Sequence, residues 1–450
     1  VRAEPEDPFR CVSETGSSVI RSAMGDDVMT TTTQMPGRGR SGLSETIEVT
    51  RETLGRVTAG LPRFVRYALG YPLKIRAGTL TLTLPDGRRL VFRGREPGPQ
   101  AEMVVRDFRF ARRLILDGDV GFAEAFIRGE WDSLDPAGFL YFFCVNMEAA
   151  RNLTRYNPLA RLMQRFRHWR NRNTKAQARR NIIAHYDLGN AFYRAWLDPS
   201  MTYSSAWFGA GATDLPGAQR DKYRRLAREI GLKPGDHVLE IGCGWGGFAE
   251  LAATEFGARV TGLTLSDEQH AYAIRRMAEA GLSDRVTIKL QDYRDETGSY
   301  DAIASIEMFE AVGREYWPTY FDTLARCLKP GGRAGVQVIT IDEARWDDYL
   351  REIDFIRAYV FPGGMLPTAS HMRDLPRAAG LAMTGEEAFR LDYARTLEEW
   401  RRRFLAVWDD VARLGFDERF KRMWTYYLAY CEAGFRAGTI DVRQFVYAHR

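Results

Sequence analysis

Val238-Leu239-Glu240-Ile241-Gly242-Cys243-Gly244-Trp245-Gly246-Gly247 joins a short apolar run to a cluster of glycines, and its reading decides the fold. His237–Ile241 reads as a buried strand, and the helix it feeds is expected to open near Phe248. Glycines at such a turn let the backbone approach a ligand without Cβ clashes. A ligand there lies beyond the carboxyl ends of the strands, where open α/β sheets bind theirs. Glu240, just before the turn, would repel a pyrophosphate but suits a cationic ligand or its ammonium group.

The segments downstream keep the same rhythm. Arg259–Leu265, Val286–Leu290, Ala302–Ile306 and Gly335–Ile341 read as strands, with helices over Asp267–Ala280 and Glu315–Cys327. Strands alternating with helices imply a doubly wound α/β sheet of Rossmann-like type. ExGxGxG at the first turn is a pattern of S-adenosylmethionine sites, with Gly242, Gly244 and Gly246 as its glycines. A purely structural turn and a nucleotide site are the other readings. After the second strand, Thr264, Ser266 and Gln269 are placed for ribose hydroxyls; after the third, Gln291-Asp292-Tyr293 is placed for adenine. Each of these taken alone is more often a helix cap or turn residue.

Upstream, Ser44–Ala59 reads as helical, and Thr79–Phe92 as a hairpin turning at Asp86-Gly87. Phe108–Ile115 and Phe122–Phe126 follow, punctuated by Gly118, Gly121 and Gly129. Leu43–Ala150 is expected to form a small α+β domain with no recognisable site of its own. Arg151–Tyr186 contains no acidic residue and interleaves Arg161, Arg165, Arg167, Arg170 and Lys175 with Phe166, His168 and Trp169. A solvated helical linker (151–185) is the plain reading. A surface for anionic phospholipid headgroups is the sharper one.

At 450 residues the chain is long enough for two domains. A hydrophobic share of 45% with 27% charged residues describes a globular protein rather than a disordered one. The net charge of +5 permits a nucleic-acid or membrane partner, but no nucleic-acid motif accompanies it. The five cysteines form no CxxC pair, which argues against a zinc site or a disulfide framework and fits a reducing cytoplasm. No apolar run reaches the ~18 residues of a membrane span. Residues 1–42, rich in Ser, Thr, Gly and Arg, read as a disordered extension. Met24 or Met29 within it is a candidate true start.

Three further segments, His185-Tyr186-Asp187-Leu188-Gly189-Asn190 running on to Met201-Thr202-Tyr203-Ser204-Ser205, then Met308–Gly313, then Tyr359–Pro367, resemble the cyclopropane-fatty-acyl-phospholipid synthase family, which includes the mycolic acid methyltransferases. The C-terminal Tyr426–Phe435 fits the same pattern. The resemblance runs from about Ala101 to the end of the chain. It implies a methyltransferase domain over 186–450 with an acyl-binding lid, about 342–396, covering an acyl tunnel. Carried over by position, Tyr203 and Ser204 would touch the cofactor, Gly242 and Gly244 would underlie its methionine part, and Gln269 would reach its ribose. Glu310 and Tyr393 match ligands of a bicarbonate near the transferred methyl. Cys431 matches a cysteine often marked as active, although a buried apolar thiol is an equal reading. Two departures bear on the bicarbonate: the family's cysteine after Tyr-Ser is Ser205, and its late histidine is Ile339, leaving Gln337 as the polar residue on that strand face.

An alkene is a weak nucleophile and must be aligned with the methyl donor in a dry channel. Tyr203, Trp207, Phe208, Phe309, Tyr359, Phe361 and Tyr393 are candidate aromatic faces for the cation that forms. The reading reached is C-methylation of the double bond of a phospholipid acyl chain at the membrane surface, by a cytoplasmic, peripheral enzyme. The product is a cyclopropane or a methyl-branched chain, and a homodimer is compatible with it. The rivals are a methyltransferase for a small soluble metabolite and a non-catalytic lipid- or RNA-binding protein with a degenerate fold.

Overall fold

The computed structural model describes residues 46–147 and 188–450. The expected extension (1–42), the basic linker (151–185) and His185-Tyr186-Asp187 lie outside the described residues. The first sheet comprises β1 (Thr46–Glu48), β2 (Ala77–Thr83), β3 (Arg89–Arg93), β4 (Glu96–Val105) and β5 (Trp131–Asp132), in the order β1-β3-β2-β4-β5. The hairpin forms as expected: Leu82 sits opposite Leu90, and Gly87 takes the turn at φ +87°. Ser44–Ala59 departs from expectation. Ile47 lies in a strand paired with Leu90, and only Leu54–Val57 is helical, because the apolar residue gains more by joining the sheet.

Phe108–Ile115 and Phe122–Phe126 become one helical run, Arg109–Ile127, broken by a kink at Gly118 (φ 60°, ψ −132°) that only glycine adopts readily. The helix Pro136–Val145 follows, and Asn146 fastens its end to β2. Its Oδ1 accepts from the backbone of Arg76 and Ala77, and its Nδ2 donates to the carbonyls of Ala77 and Phe142. Asn146→Ala would remove the side-chain partner of the buried Ala77 N–H and carbonyl and of the part-buried Arg76 N–H, while the Phe142 carbonyl keeps its bond from the backbone N–H of residue 146. It is expected to cost about 3 kcal/mol, read as a lower denaturant midpoint. An unchanged midpoint would show that water replaces the amide.

The second sheet holds seven strands: β6 (His237–Ile241), β7 (Arg259–Thr264), β8 (Val286–Leu290), β9 (Tyr300–Ile306), β10 (Leu328–Ile341), β11 (Leu381–Ala388) and β12 (Ile440–His449), in the order β11-β12-β10-β9-β6-β7-β8. β6 to β10 are mutually parallel; β12 runs antiparallel to both β10 and β11. Val238, Leu239, Ile303, Val336 and Val338 are fully buried. Both faces of a central parallel strand are covered by helices, so its residues are apolar in continuous runs. The chain's path reverses between β6 and β9, which opens a crevice at their carboxyl ends. Within the segment expected as a lid, Leu381–Ala388 is instead the edge strand of this sheet.

The first sheet shares a hydrophobic core with the helices Arg390–Ala406 and Glu418–Ala437, while the strands of the second sheet pack mainly into two clusters of their own. The helix Glu418–Ala437 packs Tyr426 against Phe126 and Trp131 of the amino-terminal unit. On the same helix, Arg422 donates to the carbonyls of Phe126 and Trp131 and pairs with Asp132. No described helix is long and apolar enough to cross a membrane.

Candidate active site

Ile241, Thr264, Gln291, Glu307 and Ile341, at or just past the ends of β6 to β10, open into a cavity of about 920 Å³. At one end lies the glycine turn. Gly242 (φ +83°), Gly244 (φ +53°) and Gly246 (φ +85°) all take left-handed backbone, which is why these positions are glycine. Trp245 of this turn donates to Asn190, whose amide donates to Glu268, so the segment that includes Asn190 braces the turn. Glu240 is buried beneath the turn with one carboxylate oxygen unpartnered, and burial holds its pKa well above the usual carboxylate range. An ammonium group would satisfy that oxygen and restore the charge. The residues present therefore fit the methionine end of S-adenosylmethionine.

Tyr203, Ser204, Thr264, Gln269 and Gln291 also line the cavity. Thr264 donates to Gln269 Oε1 (2.9 Å), which leaves the Gln269 amide N–H groups to donate to a ligand. Ser204 Oγ accepts from Lys222 Nζ (2.6 Å), and burial lowers that lysine to about 7. Three residues predicted for the cofactor do not line the cavity, and neither do Ser205 and Gln337, which are fully buried behind it. Gly246 heads the helix Gly247–Glu255, Ser266 caps Asp267–Glu279, and Asp292 caps a short turn and pairs with Arg294 (2.6 Å).

Beyond the turn, the predicted catalytic residues converge on one that sequence reading missed. Glu307 Oε1 accepts from the Ser205 backbone N–H (2.8 Å) and from Gln337 Nε2 (2.8 Å), and its Oε2 accepts from Tyr393 Oη (2.7 Å). The Ser205 hydroxyl turns away to the Ala206 carbonyl. The Tyr393 hydroxyl, which the resemblance would give to bicarbonate, is committed to Glu307. Gln337 is fixed by a relay: its Oε1 accepts from Gln444, whose own Oε1 accepts from Arg225. A guanidinium only donates, so Arg225 sets both amide orientations and aims the Gln337 N–H at Glu307. Glu307 takes φ 51°, one of two positive-φ non-glycine residues among those described, at a cost of about 1–2 kcal/mol. The other, Met201, also lines the cavity. An acidic residue directly after β9 was the only sequence signal.

Glu310 stands beside it. Its Oε1 accepts from Ile339 N (2.6 Å), while its Oε2 is buried without a partner. Glu307 and Glu310 lie deep in the molecule yet keep some accessible surface, because that surface faces the cavity. Burial, then the charge of Glu307, push Glu310 up to about 8. Burial raises Glu307 as well, but Tyr393, Lys222, Gln337 and the Ser205 N–H oppose it. The donors on Glu307 thus favour its charged form, whereas Glu310, with one N–H donor and a carboxylate beside it, is driven toward its protonated form.

Cys431 lines the cavity, but burial and then the charge of Asp354 push its thiol far up, away from the reactive thiolate. It is apolar wall, and Cys431→Ser is expected to leave kcat within about tenfold of wild type, below the 10²–10⁴ of a lost acid–base group. A larger loss in steady-state turnover would restore an active role. Tyr203, Phe361 and Tyr393 of the aromatic candidates face the cavity. Phe309 stacks on Trp317 in the core, Trp207 lies under Arg225, Phe208 under Arg395, and Tyr359 bonds Glu124.

The cavity does not end at the second sheet. Leu114, Phe122, Leu140, Phe143 and Cys144 of the amino-terminal helices line it too. The unit expected to have no site of its own thus supplies an apolar wall. Asp119, just past the kink, accepts from Tyr430 Oη and Phe355 N and holds that wall in place.

A Rossmann-like sheet with its switch point at the glycine turn, and a carboxylate awaiting an ammonium, define the class: an S-adenosylmethionine-dependent methyltransferase. Residues 173–445 match the family model described as mycolic acid cyclopropane synthetase, and the chain belongs to that family. It is 41% identical to tuberculostearic acid methyltransferase UfaA1 of Mycobacterium tuberculosis, over 78% of this chain and 83% of that one. It is 37% identical to the cyclopropane-fatty-acyl-phospholipid synthase of Escherichia coli K12, over 77% and 88%. The solved cyclopropane synthase MmaA2 of M. tuberculosis aligns with a TM-score of 0.57 at 30% identity, covering 60% of this chain and 98% of that one. CmaA1, a mycolic acid cyclopropane synthase solved with SAH and CTAB, aligns at 0.56 and 31% identity, over 60% and 97%.

Proposed function

We propose that the protein methylates the carbon–carbon double bond of an unsaturated phospholipid acyl chain at the membrane surface, and that its product is methyl-branched rather than a cyclopropane. One observation carries the reading: a single cavity runs from the glycine turn, past two buried carboxylates, to an apolar wall on the amino-terminal helices. A soluble metabolite would not need that apolar extension. The branched outcome is supported by Ser205 and Ile339 standing where the resemblance expects cysteine and histidine. A relative named for fatty acid methylation rather than for ring formation points the same way.

Bound at the turn, S-adenosylmethionine supplies an electrophilic methyl group: the alkene π pair forms the new C–C bond, and the S–CH3 pair stays on sulfur. Glu240, Gln269 and Tyr203 would hold the donor. The rings of Tyr203, Phe361 and Tyr393 line the cavity and would face the electron-deficient carbon that results and keep water from it.

The test is incubation with S-adenosylmethionine and vesicles bearing a monounsaturated phospholipid, followed by proton NMR of the product. Methyl incorporation without upfield cyclopropane ring protons is expected. Ring protons would refute the branched product. Incorporation into a soluble acceptor but not into vesicles would refute the lipid substrate.

A further inference from the structure

We infer that Glu307 is the resident anion of the reaction: a carboxylate of the chain, held at the cavity floor, accepts the proton that the methylated acyl chain must lose, so that no external bicarbonate is needed. The inference rests on the function proposed above. After methyl addition, the carbon next to the new branch point lacks an electron pair. A neighbouring C–H bond breaks, its pair closes a new carbon–carbon bond, and the proton leaves for a base. The acyl product is neutral, and the base later returns the proton to solvent.

Glu307 is built for that acceptor role. Three donors from three separate elements converge on it: Ser205 from the loop after Met201, Gln337 from β10, and Tyr393 from the helix Arg390–Ala406. An ionised carboxylate offers about four acceptor sites. Oε1 uses two of its own and Oε2 uses one, which leaves a site on Oε2 for an incoming proton. The donors are a ready cradle for a small anion, and the chain fills it with its own side chain by holding a non-glycine residue at φ 51°. Glu310, with a single N–H donor on one oxygen, is not held in this way.

The experiment measures methyl transfer to monounsaturated vesicles in carbon-dioxide-free buffer, with and without added bicarbonate. Wild type is expected to turn over equally in both. Glu307→Gln, nearly isosteric, is expected to bind S-adenosylmethionine within threefold of wild type by calorimetry and to lose at least 100-fold in kcat. Glu307→Gly, which suits the left-handed backbone and empties the cradle, is expected to be inactive alone. It should regain at least tenfold with bicarbonate or formate, and should bind 13C-bicarbonate by NMR where wild type does not. A wild type that requires bicarbonate, or a Glu307→Gln variant with more than half of wild-type kcat, overturns the inference. A wild type that methylates no acyl chain overturns the proposed function instead.

Discussion

Gly242→Val is expected to abolish S-adenosylmethionine binding while leaving the chain folded. Gly242 sits at φ +83°, where a β-branched residue is a steric outlier. A Cβ there would lie 2.8 Å from Met308 Cγ and 2.9 Å from its Cβ. Those atoms are at the root of the Met308 side chain, next to Glu307, and cannot swing aside as a methyl terminus would. The turn must therefore shift, and with it the backbone that faces the donor and the Glu240 carboxylate below it. Calorimetry should show affinity weakened at least 100-fold, about 2.7 kcal/mol, with an unaltered far-ultraviolet circular dichroism spectrum. Binding within tenfold of wild type would mean that the glycine turn does not contact the donor.

Glu310→Gln is expected to stabilise the protein, by an amount that grows with pH. The folded-state value of Glu310 is pushed up to about 8 from an ordinary 4.5, by burial and by Glu307. Between those values the folded protein binds a proton that the unfolded chain does not, so stability falls as pH rises, by at most about 1.4 kcal/mol per unit. The stability associated with the protonated acid is complete below 4.5 and is lost by the time pH passes 8. Glutamine keeps an acceptor for Ile339 N and has nothing to ionise. The gap between variant and wild type should open near pH 5 and reach a few kcal/mol at pH 8, read as a rising difference in Tm. A variant no more stable than wild type at pH 8 would show that Glu310 is ionised there without penalty.

Much of the catalytic sheet was legible from local pattern. The strand His237–Ile241 lies where its apolar run puts it, because a doubly covered parallel strand leaves a continuous hydrophobic signature, and the edge strand Val286–Leu290 lies where its alternating Val286, Ile288 and Leu290 put it. The glycine turn was legible because its left-handed backbone admits few other residues. Cap residues were harder to read. Ser266 and Asp292 carry the polar groups that ribose and adenine need, yet the same groups satisfy helix and turn ends, and only their placement separates the two uses.

By itself, the order of residues determined the class of sheet, the donor-binding turn, and the presence of Glu310, Tyr393, Gln337 and Ser205 near one chemistry. Tertiary structure alone decided that Ser205, Gln337 and Tyr393 all turn to Glu307, and that Leu114 and Phe143 of the first unit wall the same cavity. The physical reason is range. Backbone conformation and hydrophobic period are written in neighbouring residues, whereas an anion cradle assembled from three distant elements exists only once the packing of sheet and helices has brought them together.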